Sequence, residues 1–266
     1  MNTERILSII KEKGYTAQYV EIQKGAITKA GIQMGEGQIR PVIYLSDLND
    51  NSTDEAIADQ IIKIYESTKQ PDFDLNEIIS AEYIKENAFI SIRRPAEDNL
   101  FTKDFLDMQL VLRAKINVPG DGAASYAIPK QLAEKLGLTD SIFDEAVKNM
   151  NFRVTTLAEA VAHTTGDEGL TPDFGMYVVS TEDKYHGAAV FYDTDFIDAM
   201  AEKLNGDLVI IPSSVHEILI RRNDDDTNLA YVSAMVKEIN SSEVPLEEQL
   251  SDHAYLYIKE TKTFKF

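Results

Sequence analysis

Residues 107–118 set the first limit on what this chain can fold into. Met108, Leu110, Leu112, Ala114, Ile116 and Val118 share one parity; Asp107, Gln109, Arg113, Lys115 and Asn117 share the other, with Val111 as the exception. Alternation this long predicts a β-strand of about 40 Å, at about 3.3 Å per residue. One face packs and the other meets water, which is the habit of antiparallel sheets. A parallel sheet covered on both sides would not keep such a polar row.

Amphipathic helices and short strands surround this segment. Ile6, Leu7, Ile9 and Ile10 among charged neighbours predict an N-terminal helix ended by Gly14. Residues 17–24, 26–34 and 39–45 read as a meander of strands joined at glycines. Ser52 and Glu55 have capping-box spacing before a helix bearing Ile57, Ile61, Ile64 and Tyr65, ended by Lys69-Gln70-Pro71. Residues 74–86 read as helical and 88–93 as extended. The turn Pro119-Gly120-Asp121-Gly122 suggests a boundary between an N-terminal α+β lobe, 1–118, and a C-terminal α+β lobe, 119–266, with one compact unit as the alternative.

In the second lobe a strand at 123–128 precedes helices over 129–136, 141–150 and 157–163, the last with a Thr156–Glu159 capping box. Residues 163–175 read as a loop. Residues 176–180 and 187–192 read as paired strands, and a helix from Asp193 carries Ile197, Met200, Ala201 and Leu204. Strands at 207–211 and 215–221 form a hairpin across Pro212-Ser213-Ser214. Asp224-Asp225-Asp226 leads into a helix with Val232, Met235, Val236 and Ile239 aligned, and an extended stretch starts at Asp252. From Gly187 the succession is strand, helix, strand, strand, helix, strand, the ferredoxin-like order. The fold class is α+β, with antiparallel or mixed sheets and packed helices.

Charge narrows the partners. The chain carries 26 basic and 45 acidic residues, a net charge of −19. Residues 121–266 hold 12 of the basic and 26 of the acidic groups. Direct nucleic-acid binding is disfavoured, because it rests on lysine and arginine neutralising phosphates. An acidic surface suits a basic protein partner, and a nucleic-acid mimic is a second alternative. The chain has no cysteine, which excludes disulfides, thiolate catalysis and cysteine-held metals and fits a reducing cytoplasm. Met1–Lys13 is too short and too charged in its apolar part for a signal peptide, and no apolar run reaches the roughly 20 residues of a membrane span.

The candidate site is the segment Pro212-Ser213-Ser214-Val215-His216-Glu217. Ser214 and His216 share parity, so on a strand their side chains lie on one face and a serine–histidine pair can be drawn. Against it, there is no Gly-x-Ser-x-Gly elbow, and His216 shares its face with Ile218 and Ile220. The preferred reading gives Ser213, Ser214, His216 and Glu217 a backbone-holding role; the alternative is a hydrolase or small-ligand site centred on them. His216-Glu217 opens a zinc motif that fails at Ile220. The other histidines, His163, His186 and His253, are scattered, and a composite metal site would need Asp193 or Asp252. The triple aspartate lacks the EF-hand pattern, residues 119–125 lack the ending of a phosphate loop, and no dinucleotide fingerprint occurs. No metal or cofactor is expected.

Residues 176–180, 187–190, 210–220, 236–240 and 250–253, with Pro212–Glu217 as the most specific part, resemble an uncharacterised bacterial family. It is a domain of unknown function of Firmicutes, typical of gut species and often encoded near mobile elements. The resemblance implies a cytoplasmic bacterial protein and supplies no catalytic residue, cofactor or substrate. The expected function is a non-enzymatic interaction or accessory protein.

Overall fold

The computed structural model describes residues 2–24, 27–36, 40–48, 52–67, 74–117, 123–166, 175–224 and 227–266. The chain divides into two compact units, Met1–Asp72 and Phe73–Phe266. This differs from the boundary at 118/119 expected from the sequence. Residues 113–117 and 123–127 pair with each other, from Asn117↔Ala123 to Arg113↔Ala127, so the segments on either side of the expected boundary belong to one sheet. The expected turn at 119–122 lies outside the described residues.

The first unit is α1 (Thr3–Glu12), β1 (Ala17–Lys24), β2 (Ile27–Met34), β3 (Val42–Tyr44) and α2 (Asp54–Ser67). The three strands form the expected antiparallel meander. The Asn2 side chain caps α1 by accepting from Arg5 N–H, and Ile6 and Ile10, one turn apart, face inward. They meet Ile32 and Met34 of β2 and Ile57, Ala58, Ile61 and Ile62 of α2. The cap of α2 is Thr53, whose hydroxyl accepts from Ala56 N–H, rather than Ser52. Ile64, expected inside, is exposed. The helix stop at 69–71 lies outside the described residues.

The second unit begins with α3 (Leu75–Ile78) and α4 (Ala81–Asn87), two short helices where one was expected. Ser80 starts the second by accepting from Tyr83 N–H. Then come β4 (Ala88–Arg93), β5 (Thr102–Phe105), β6 (Met108–Asn117), β7 (Ala123–Ala127), α5 (Lys130–Leu136), α6 (Ser141–Lys148), β8 (Phe152–Thr156), α7 (Leu157–Thr165) and β9 (Met176–Thr181). The chain ends with α8 (Thr194–Leu204), β10 (Leu208–Ser214), β11 (Glu217–Arg222), α9 (Leu229–Ser242), β12 (Tyr255–Ile258) and β13 (Thr263–Lys265). The fold is α+β.

The period-two segment is β6. It pairs with β4 along one edge and with β5 and then β7 along the other, all antiparallel. Met108, Leu110, Leu112 and Ala114 enter the core as expected. The opposite face is not wet at its centre: Ser91, Arg93 and Val111 are buried there too. Phe89 on that face lies against Tyr185 and His186.

The second sheet runs β13-β12-β10-β11-β9-β8. Residues 187–192 are a buried 3-10 helix, not the expected strand. The strand–helix succession survives with β9 as its first strand. The pairing is not ferredoxin-like, because β12 lies beside β10 instead of beside the first strand. Ile210, Ile218, Ile220 and Val179 of this sheet join Ile90, Ile92 and Leu110 of the other in one core.

Candidate functional site

The Pro212–Glu217 segment occupies the tip of the β10–β11 hairpin. β10 runs on to Ser214, Val215-His216 form a two-residue turn, and Ser214 faces Glu217 after a register shift at Pro212. β12 pairs with β10 only over Leu208–Ile210, so a proline at 212 costs no ladder bond on that edge. His216 therefore sits in the turn and does not share a strand face with Ile218 and Ile220.

The segment's polar groups are engaged with backbone and with each other. The Ser214 hydroxyl accepts from His216 N–H at 3.1 Å, and the Ser213 hydroxyl donates to Glu217 Oε1 at 3.2 Å. Ser180 donates its hydroxyl proton to the His216 carbonyl at 2.7 Å. Val215 N–H donates to the Glu248 carbonyl at 2.8 Å. The His216 ring accepts from His186 N–H through Nδ1 at 3.3 Å, and its Nε2 lies 3.8 Å from Glu248 Oε1. An Nδ1 that accepts leaves the imidazole proton on Nε2, toward Glu248. A serine nucleophile needs its hydroxyl on a ring nitrogen, and here both nitrogens face other groups.

Four residues around this tip were not connected with it in the sequence. Tyr185 and His186 follow a tight turn, with His186 at φ 55°, and their rings lie 4.2 Å apart. The His186 ring is 5.7 Å from that of His216. Gly187 follows because a Cβ there would sit 2.5 Å from the His216 carbonyl oxygen and from Ser180. Arg113 lies on the sheet face under this layer and donates to Ser125 Oγ at 3.1 Å; burial lowers its proton affinity, against the pull of Tyr185. The only linear signal was the Tyr-His-Gly run after a polar turn.

Glu217 also reaches a cleft of about 460 Å³ on the outer face of the six-stranded sheet. Arg153, Glu159, His163, Ser180 and Lys184 are among its other lining residues. The expected Thr156–Glu159 capping box is present on α7. The Thr156 backbone N–H and hydroxyl, with Arg153 nearby, hold the Glu159 carboxyl below its ordinary range.

The remaining candidates are dispersed. His253 Nε2 is 2.9 Å from Asp107 Oδ2, and Asp193 caps α8 by accepting from Phe196 N–H. Asp224 pairs with Arg221, while Asn228 caps α9; Asp225 and Asp226 lie outside the described residues. Among the described residues no three His, Asp or Glu side chains are placed to hold a metal ion. On α9, Val236 packs inward, whereas Tyr231, Met235 and Ile239, each one turn from the next, are 66%, 44% and 49% exposed. Leu246, just beyond, is 58% exposed.

Residues 3–259 match the model of a family described as Family of unknown function (DUF5688). No curated protein and no solved structure gives a match.

Proposed function

The chain belongs to the DUF5688 family of unknown function, and on that premise we propose that it is a non-enzymatic interaction protein whose α9 face docks a basic, amphipathic segment of a partner protein. The observation that carries this reading is the exposed stripe Tyr231–Met235–Ile239. Isolated exposed apolar side chains need no explanation, but three of them, one turn apart on one helix face, mark a contact surface. Glu238, Glu243 and Glu247 stand along the same segment against the single cation Lys237. That rim suits an apolar helix face flanked by lysine or arginine. A second copy of a chain with net charge −19 is disfavoured as occupant by like-charge repulsion.

A bacterial cytoplasm, in Firmicutes, remains the setting of this proposal. The absence of cysteine fits a reducing compartment, and no helix of the described residues is long and apolar enough to cross a membrane. Weighing against the hydrolase alternative, the Ser214 hydroxyl accepts from His216 N–H while His216 Nδ1 accepts from His186 N–H. Nucleic-acid mimicry would require an unbroken row of carboxylates, and on α9 apolar side chains interrupt it.

The test is fluorescence anisotropy with a labelled helical lysine–leucine peptide and a scrambled peptide of the same composition. The helical peptide is expected to bind, and Met235→Glu is expected to weaken it at least about tenfold, as is about 0.5 M salt. Equal binding of the scrambled peptide, or an unaffected Met235→Glu variant of intact fold, overturns the proposal.

A further inference from the structure

We propose that the cleft between α7 and the outer face of β8, β9 and β11 binds a small zwitterion, an α-amino acid or dipeptide with an aliphatic side chain. The inference is independent of the α9 face. Its volume of about 460 Å³ falls among small-molecule sites, which run from about 300 to 1,000 Å³.

The sheet register builds the floor. Arg153 pairs with Ser180, and Ser180 pairs with Glu217, so the three stand in one row on one face. Two strand spacings separate the Arg153 and Glu217 backbones by about 10 Å. The small side chain between them is committed to the His216 carbonyl. Arg153 and Glu217 thus line the cleft from the two ends of this row, and no ion pair joins them. Among the described residues no ion pair within 4.0 Å includes Arg153, Lys184 or Glu217. The next row is Thr155 beside Val178, and Val178, with Val154 and Ala160, gives the cleft its apolar lining. No described residue of α7 is buried, although its sequence is largely apolar.

The charges choose the ligand class. An anion alone would meet Glu159, Glu182 and Glu217; a cation alone would meet Arg153 and Lys184. A ligand with both charges satisfies both ends: its carboxylate takes the Arg153 fork, its ammonium takes Glu217, and its aliphatic group lies over Val178. This gives Glu217 a task beyond its bond to Ser213.

The experiment is an amide chemical-shift titration of the full chain with L-leucine, L-valine and glycyl-leucine. Saturable shifts are expected at residues 153–163, 178–184 and 217 for at least one of these probes. Leucinamide, which lacks the carboxylate, and isocaproate, which lacks the ammonium, are each expected to bind at least about tenfold more weakly than leucine. Arg153→Gln and Glu217→Gln, checked for a native amide spectrum, are expected to lose the same factor, while Met235→Glu binds as the wild type. Absence of saturable shifts with all three probes overturns the proposal. So does equal binding of either singly charged analogue, or unchanged binding by both charge variants.

Discussion

At the scale of single residues, the buried cation of the four-stranded sheet is the most exacting feature. Arg93 is only 8% exposed and donates to Asp98 Oδ2 at 2.6 Å and to Gln109 Oε1 at 2.7 Å. Burial raises the Asp98 carboxyl, but Arg93 and Leu100 N–H lower it more, so it ends below the ordinary carboxylate range. A carboxyl lowered by folding stabilises the fold above its unfolded value, about 3.9, and loses that effect as pH falls through the folded value. Asp98→Asn is therefore expected to cost about 3 kcal/mol at neutral pH, because it leaves the buried guanidinium without a counter-charge. Urea unfolding from neutral pH down to about pH 2 should show the gap between wild type and variant narrowing below about pH 4. A gap that is small, or indifferent to pH, contradicts this account. Neither Arg93 nor Asp98 stood out in the sequence, since a charged residue five positions from another looks like ordinary surface.

At the scale of elements, residues 187–192 are the sharpest departure from expectation. Gly-Ala-Ala-Val-Phe-Tyr is a short apolar run, and such a run reads equally as a buried strand or a buried helical turn. The structure makes it a 3-10 helix, with Gly187 through Phe191 all buried and Ala188 N–H donating to the Val215 carbonyl. The deciding contact is at Gly187, which lets this helix lie against the β10–β11 turn. Gly187→Ala is expected to destabilise by about 2 kcal/mol, since a Cβ meets backbone atoms that cannot turn aside. Chemical denaturation measures it, and a loss under about 0.5 kcal/mol means the contact is not tight. The hairpin itself was legible from the two apolar runs around Pro212. Its turn was misplaced because proline reads as a breaker, yet at the end of a short pairing it continues the strand. That shift moved His216 from a strand face into the turn and ended its alignment with Ser214.

At the scale of the whole molecule, the two units have separate sets of buried residues, one around Ile6, Ile32 and Ile61 and the other around Leu110, Phe191 and Ile218. Each set is closed by its own helices, so residues 73–266 are expected to fold alone. The fragment should give a cooperative thermal transition and a dispersed amide spectrum; a non-cooperative, aggregating fragment rules this out. The sequence by itself determined what neighbours in the chain decide: the alternation of β6, the meander of β1 to β3, the capping box of α7 and the inward stripe of α1. These depend on parity, on helical period and on side chains within a few residues of the backbone groups they satisfy. Only the tertiary structure decided which strands lie side by side and which apolar stripes find cover. Ile6 and Ile10 of α1 are buried while Met235 and Ile239 of α9, at the same one-turn spacing, are exposed. Period alone gives a stripe its direction; whether another surface arrives to cover it depends on segments far away in the chain.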